Sequence, residues 1–156
     1  MEELRRQERL KEVKRTVRDA WEDGKRRMES YEQESKTMHD LLALHRIRRD
    51  QVLADNPSLE KLADQQTEES LQTIDQNDRE EMLDIIRNLH RQLNIVDAEK
   101  DEMELIFNDY ADASDELVYD FDIDCEIFPW IGVVREDFTA LRQEFEEFCQ
   151  PFGEIW

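Results

Sequence analysis

Three aspartates at alternate positions, Asp120, Asp122 and Asp124, are the most suggestive arrangement of chemically active side chains in this sequence of 156 residues. Their spacing matches the opening of a calcium-binding helix-loop-helix loop, whose early ligands are carboxylates at alternate positions. That loop also needs Gly at its sixth position and a bidentate Glu at its twelfth, and these positions hold Cys125 and Ile131. The pattern therefore predicts an acidic surface and no calcium site.

The histidines, His39, His45 and His90, do not form a known metal-binding motif. His39 and His45 are six residues apart, so they point to different faces of a helix, and neither HExxH nor Glu-x-x-His is present. The glycines are too few and scattered for a phosphate-binding loop, and no Gly-x-Ser-x-Gly nucleophile motif is present. We therefore expect no catalytic residues, no cofactor and no metal, and we expect the protein not to be an enzyme.

The two cysteines, Cys125 and Cys149, do not form a CxxC motif and are too few for a disulfide-based scaffold. We expect both to be reduced thiols, buried or half-buried, in an intracellular protein, either cytoplasmic or nuclear. The sequence begins without an apolar signal region. Its longest apolar run, residues 127–134, is too short to span a bilayer.

Charge is distributed unevenly along the chain, whose formal net charge is −20. Residues 1–50 carry a net charge of +2, residues 51–98 of −7 and residues 99–156 of −15. This gradient does not predict direct binding to nucleic acid or to an anionic membrane, because both need clustered positive charge on the protein. A basic protein surface is the natural electrostatic partner of the C-terminal part, and solubility alone is the alternative explanation.

Residues 2–55 are predicted to form one long helix, because apolar residues recur at spacings of three and four from Leu10 onward. The stripe is narrow, which is typical of a helix that packs against a partner helix. It is weak at residues 24–35, where Gly24 and Glu34 occupy stripe positions, so we expect a bend or a loose contact there. The stripe residues that we expect to bind a partner are Leu10, Val13, Val17, Met38 and Leu41.

A turn near residues 55–58 is predicted to reverse the chain. Asn56 can cap the helix that follows, and Pro57 suits the first position of that helix. A connection this short makes the second helical region antiparallel to the first. The polar stretch at residues 75–81 allows either a break near residues 75–78 or a stutter in one continuous helix, and Asn77 with Glu80 could form a capping box.

Apolar residues are densest between Met82 and Tyr110, where they form a band wider than a two-helix seam needs. Such a band predicts a helix that contacts more than one neighbour, in its own fold or in another subunit. Leu93, Val96 and Phe107 are the residues of this band that we expect to contact a partner.

The period of the pattern changes after Tyr110. Over residues 117–127, apolar residues alternate with acidic ones, which predicts a half-buried strand. An acidic amphipathic helix continuing from residue 110 is the alternative. Residues 133–149 then predict a short amphipathic helix. The residues of this C-terminal part that we expect to contact partners are Tyr119, Asp120, Phe121, Asp122, Asp124 and Trp156.

The elements together predict a mainly α fold with two parts. Residues 1–112 would form a long antiparallel helical hairpin or coiled coil. Residues 113–156 would form a small acidic cap with one or two short strands and a short helix. A seam too narrow to be self-sufficient predicts a homo- or hetero-oligomer.

Two functions fit these expectations. The first is a non-enzymatic structural or adaptor subunit of an intracellular multiprotein assembly, which binds protein partners through helix seams and the acidic C-terminal region. The second is an acidic inhibitor or chaperone that mimics nucleic acid and occupies a basic protein surface. They differ in salt dependence, because apolar seams are poorly screened by salt and exposed charge pairs are strongly screened.

Overall fold

A computed structural model describes residues 2–57 and 75–153 of the chain. These residues form the helices α1 (Glu2–Asp55), α2 (Gln76–Phe121) and α3 (Trp130–Cys149), followed by a short 3-10 helix at Gln150–Phe152. The described ranges contain no β-strand. The prediction of a mainly α fold is therefore confirmed.

The chain divides into two compact units. Unit 1 consists of Met1–Gln33 and Asp97–Glu136, and unit 2 consists of Glu34–Val96 and Asp137–Trp156. Each unit therefore contains parts of α1, α2 and α3. The predicted division into a hairpin over residues 1–112 and a cap over residues 113–156 stays a prediction.

In unit 1, α1 and α2 run antiparallel. Arg9 forms a two-pronged salt bridge with Glu116, with nitrogen–oxygen distances of 2.8 and 2.7 Å. Further along α1, Arg27 pairs with Glu99 at 3.0 Å. Residue numbers that rise on one helix while they fall on the other define the antiparallel direction. The long N-terminal stripe thus finds its partner helix within the same chain.

An aromatic cluster lies between these two ion pairs in unit 1. The ring of Trp21 lies 4.8 Å from that of Trp130 and 5.8 Å from that of Tyr110, measured between centroids. Phe128 lies 4.9 Å from Trp130 and packs against Gly24. The loose contact expected near residue 24 is therefore wrong at Gly24, because the missing side chain makes room for two aromatic rings.

The strand predicted over residues 117–127 is wrong. Helix α2 continues to Phe121, because Ala113, Leu117 and Phe121 extend its apolar stripe and pack against Val13 of α1. Asp122 then takes a left-handed backbone conformation with φ of 55°, which ends the helix. The alternative of a continuing acidic helix is right as far as Phe121.

Residues 122–129, the linker between α2 and α3, have no regular secondary structure. Over residues 122–126 the side chains alternate as the sequence pattern predicts, with Asp122, Asp124 and Glu126 exposed and Ile123 and Cys125 half-buried against α1 and α2, and the alternation ends at Ile127, which is exposed. This is the alternation of an extended chain. It packs on helices in the way that a strand packs on a core, without a neighbouring strand.

Unit 2 repeats the antiparallel pairing. The side-chain amide of Gln92 donates hydrogen bonds to the carbonyl and the carboxylate of Glu34, at 3.0 and 2.7 Å. Arg48 pairs with Glu81 at 2.8 Å and with Asp78 at 2.9 Å. Helix α3 lies beside α1, and the guanidinium of Arg49 donates to the carbonyl of residue 148 at 3.0 Å. The unit is therefore a three-helix packing with an apolar centre.

The cap at the start of α2 differs from the predicted capping box of Asn77 and Glu80. Asp75 accepts hydrogen bonds from the backbone N–H groups of Asn77 and Asp78, so Asp75 caps the start of α2. Asn56 donates to the carbonyl of Val52 at 2.9 Å and so caps the end of α1. Of the turn predicted near residues 55–58, residue 58 lies outside the described residues, as does the start of the helix predicted to follow it. The predicted short helix at residues 133–149 begins earlier, at Trp130.

Candidate functional site

Leu10, Val13 and Val17 of α1, which were expected to bind a partner, pack instead against α2 within unit 1. Val13 is 2% exposed and forms a cluster with Ala113 and Leu117 of α2. Leu10 and Val17 are half-buried and pack against the same cluster. These residues form an interface between helices of one chain, and only the half-buried edges of Leu10 and Val17 remain accessible.

The corresponding residues of unit 2 are also internal. Met38 and Val96 are fully buried and Leu93 is 7% exposed, whereas Leu41 is half-buried. Burying each large apolar side chain contributes about 1.5–3 kcal/mol to folding. The seam expected to be shared with another molecule is thus largely used inside the unit.

The remaining residues that were predicted to contact a partner differ in how far they are exposed. Phe107 is half-buried, 5.6 Å from the ring of Phe128, and Arg135 lies over its face. Phe121 is half-buried beneath the guanidinium of Arg6. Tyr119 is 82% exposed. Trp156 lies outside the described residues.

The three aspartates Asp120, Asp122 and Asp124 are all exposed and belong to a longer acidic segment, residues 109–126. This segment holds eight Asp and Glu residues and no Lys, Arg or His. Within the described ranges, Glu116 is the only one of the eight with a salt bridge, and Arg9 lowers the pKa of that carboxyl through a side-chain hydrogen bond. Seven carboxylates of the acidic segment thus have no basic partner in the part of the chain that the structure describes.

Tyr119 and Ile127 are the most exposed of the large apolar side chains in the described ranges. Ile127 is 89% exposed, and Tyr119 is almost as open. The period-two pattern placed both on the buried face of a strand. Helical geometry turns Tyr119 outward from α2, and the linker holds Ile127 away from the core. The sequence carries no signal that separates these two residues from the buried ones of the same pattern.

A groove of about 350 Å³ lies in unit 1 between α1 and the linker. Its apolar lining includes Val17, Trp21, Tyr110, Leu117, Ile123 and Cys125. Lys14 and Arg18 stand on the α1 side, and Asp124 and Glu126 stand on the linker side. Lys14, Arg18 and Trp21 could not be found as groove residues from the sequence, because no local pattern relates α1 to a linker about 100 residues away.

A serine, a histidine and an aspartate come together in unit 2, in an order that does not activate the serine. The hydroxyl of Ser35 donates to one carboxylate oxygen of Asp137 at 2.5 Å, and Nε2 of His39 lies 3.2 Å from the other oxygen. In a hydrolytic triad the histidine stands between the serine and the carboxylate. Here the carboxylate stands between them, so His39 has no path to the proton of Ser35.

Both cysteines lie in surroundings that keep the thiol protonated. Burial raises the pKa of Cys149 to about 12, against a smaller opposing effect of Arg49. Burial also raises the pKa of Cys125, and the nearby Asp124 adds to the rise. Such thiols are poor nucleophiles and poor metal ligands, because both roles need the thiolate.

No group of three or more His, Cys, Asp or Glu side chains in the described ranges is placed to hold a metal ion. The aspartates of the calcium-like pattern are separated by the end of a helix, since Asp120 belongs to α2 and Asp124 to the linker. None of the described helices has an apolar stretch long enough to cross a membrane.

Comparison with protein-family models, with curated proteins and with solved structures found no match to this chain.

Proposed function

We propose that this protein is a non-enzymatic structural or adaptor subunit of an intracellular multiprotein assembly, and that it binds a basic partner protein through the acidic segment. The observation that carries the proposal is the set of seven carboxylates in residues 109–126 without a salt bridge among the described residues. Carboxylates in such number raise the local negative potential, which attracts and orients a basic surface.

The exposed apolar residues favour an adaptor over a pure charge mimic. Tyr119 and Ile127 lie within and beside the acidic segment and are 82% and 89% exposed. A protein that only imitates the charge of nucleic acid does not need large apolar side chains among its carboxylates. An adaptor does, because buried aromatic and aliphatic anchors provide most of the affinity of protein interfaces.

The helix seams support the proposal less than the acidic segment does. Val13, Met38 and Val96 are 2% exposed or less. Accessible apolar side chains remain on α1 at Leu44 and Ile47, which are 62% and 65% exposed and lie three residues apart on one helix face. These two residues of unit 2 are the better candidates for a contact made through a helix.

The experiment is to isolate the protein from its own cells and compare the partners that it retains in 0.1 M and 0.5 M salt. An adaptor with apolar anchors keeps its partner at the higher salt, whereas a charge mimic loses it. The triple variant Asp120→Asn, Asp122→Asn, Asp124→Asn should weaken retention. The matched control is Asp40→Asn, Asp55→Asn, Asp84→Asn, which removes the same charge from exposed positions of unit 2.

Retention of a partner at 0.5 M salt, reduced by the first triple variant and not by the second, supports the adaptor function. Loss of the partner in 0.5 M salt supports the acidic inhibitor or chaperone instead. Equal retention by both triple variants contradicts any role for the acidic segment in binding.

A further inference from the structure

The groove between α1 and the linker presents accessible apolar surface within unit 1. Val17 and Trp21 on one side and Ile123 and Cys125 on the other are each only half-buried. The volume of about 350 Å³ is at the lower end of the range for binding pockets, about 300–1,000 Å³. It is large enough for one or two apolar side chains of another molecule.

The linker along this groove also has open backbone hydrogen-bonding groups. Within the described ranges, no atom accepts a hydrogen bond from the backbone N–H groups of residues 124–128. One carbonyl in this stretch, that of Glu126, accepts a hydrogen bond from the hydroxyl of Tyr110. An extended segment with unpaired N–H and C=O groups is a template for pairing with another extended chain.

The two sides of the groove carry opposite charges, acidic on the linker and basic on α1. Asp124 and Glu126 stand on the linker and are exposed, and neither has a salt bridge with a described residue. Lys14 and Arg18 stand opposite, on α1. Basic side chains of a ligand are therefore attracted to the linker side and repelled from the α1 side.

From these three features we infer that the linker binds an extended peptide of a partner protein in which apolar and basic residues alternate. This inference rests on the proposed protein-binding function and names the chemistry of the partner. The peptide pairs with the open backbone of residues 124–127 as an added strand. Its apolar side chains enter the groove beside Ile123 and Cys125, and its Lys or Arg side chains lie beside Asp124 and Glu126.

The alternation follows from the geometry of paired extended chains. Successive side chains of a strand point to opposite faces, and neighbouring strands share the same faces. Ile123 and Cys125 face the core, whereas Asp124 and Glu126 face solvent. A ligand paired with this linker therefore meets apolar and acidic neighbours in turn.

The test uses the full chain and synthetic peptides, with binding measured by calorimetry in 0.1 M salt. The probe is an eight-residue peptide of alternating Lys and Val, blocked at both ends. One control has the same composition with four Lys followed by four Val, and another has Glu in place of every Lys. We expect the alternating peptide to bind at least about tenfold more tightly than the block peptide, and the Glu peptide not to bind.

Amide hydrogen exchange distinguishes strand pairing from simple charge attraction. The N–H groups of an extended chain point alternately to its two edges, so an added strand slows the exchange of every second amide within residues 124–127. Unchanged exchange in this stretch overturns the inference, as does equal affinity for the alternating and block peptides.

Charge reversal on the linker provides the matched pair of protein variants. Asp124→Lys with Glu126→Lys should weaken the alternating peptide about tenfold. Asp40→Lys with Asp55→Lys makes the same change in net charge on exposed residues of unit 2 and should have a much smaller effect. Circular dichroism checks that all four substitutions leave the helices intact, and equal weakening by the two pairs overturns the inference.

The outcomes separate this inference from the proposed function. If the cellular partner depends on Asp120, Asp122 and Asp124 but the alternating peptide does not bind, the adaptor function stands and the inference fails. If the peptide binds with protection of alternate amides but no cellular partner is retained, the groove is a peptide site and the adaptor function fails.

Discussion

Phe128 lies so close to Gly24 that a Cβ atom at residue 24 would be 2.8 Å from the Cζ atom of Phe128. The same Cβ would be 2.9 Å from the six-membered ring of Trp130. Phe128 is 5% exposed and is held among other rings, so it has little room to move. A glycine that weakens α1 in isolation thus allows the aromatic cluster to pack against it.

Gly24→Ala is expected to destabilise the protein, although alanine is the better helix former by about 1 kcal/mol. The methyl group forces the rings of Phe128 and Trp130 to shift, and overpacking of this kind costs about 1–3 kcal/mol. Urea unfolding followed by circular dichroism measures the resulting change in the free energy of unfolding. The control is Gly132→Ala in α3, where a Cβ would have no neighbour within 4 Å and should be neutral or stabilising. A Gly24→Ala protein as stable as the Gly132→Ala protein would contradict the packing described here.

Gln92→Glu is expected to destabilise unit 2 in a pH-dependent way. The amide of Gln92 is 9% exposed and donates to both the carbonyl and the carboxylate of Glu34. A carboxylate at residue 92 replaces the donor and faces two acceptors, which costs about 2 kcal/mol at pH 7. The introduced Glu should have a raised pKa in the folded state, so the loss becomes smaller as the pH falls through that pKa and the group is protonated.

The measurement for residue 92 is urea unfolding at pH 7 and pH 4. Gln92→Met is the matched control, since it removes the same hydrogen bonds without adding a charge. The loss of unfolding free energy in Gln92→Met, relative to the wild type, should change less with pH than the loss in Gln92→Glu. If Gln92→Glu were no less stable than Gln92→Met at pH 7, the contact with Glu34 would not be important for stability.

The two thiols should react at very different rates in the folded protein. Burial raises the pKa of Cys149 to about 12 and leaves the residue 3% exposed, so very little of it is thiolate at pH 8 and little of its surface is accessible. Cys125 is half-buried with a raised pKa, so it should react with a disulfide reagent more slowly than a free thiol. We expect Cys125 to react slowly in native buffer and Cys149 to react only in denaturant. Cys125→Ser should therefore remove the slow reaction in native buffer. Rapid reaction of both thiols would show that Cys149 is not buried.

Glu104 should contribute to stability above acidic pH through its pairing with Arg135. Both carboxylate oxygens of Glu104 lie 2.6 Å from guanidinium nitrogens of Arg135, and this hydrogen bonding lowers the pKa of Glu104. A lowered pKa in the folded state gives stability that is present above the unfolded-state pKa and is lost as the pH falls through the folded-state pKa. Because the side chain of Arg135 is 51% exposed, solvent screening keeps the contribution below about 1 kcal/mol.

Glu104→Gln should therefore be less stable than the wild type at pH 7, and the difference should shrink below about pH 4. Urea unfolding at pH 7, 5 and 3.5 measures this difference. Glu102→Gln is the control, because Glu102 is exposed and has no salt bridge with a described residue. A pH-independent difference for Glu104→Gln would mean that its carboxylate charge is not involved.

Local pattern was sufficient to predict α1 and α3, but not the C-terminal end of α2. The spacing of three and four from Leu10 to Val52 follows the turn of an α-helix, and α1 covers that range without interruption. The same spacing from Val134 to Phe148 identified α3. The acidic segment could also be read directly, because charge density is a property of the residues themselves and α2 and the linker leave Asp120, Asp122 and Asp124 exposed.

Only the tertiary structure decided which surface each apolar residue meets. A narrow stripe specifies that Val13 and Met38 need a partner helix, but not whether it belongs to the same chain. In the structure α2 packs against Val13 in unit 1 and bonds to α1 through Gln92 and Glu34 in unit 2. Nor could the period-two pattern separate Ile123, which packs on the helices, from Ile127, which is 89% exposed. Periodicity gives the direction of a side chain relative to its own backbone, whereas burial depends on what the rest of the chain places next to it.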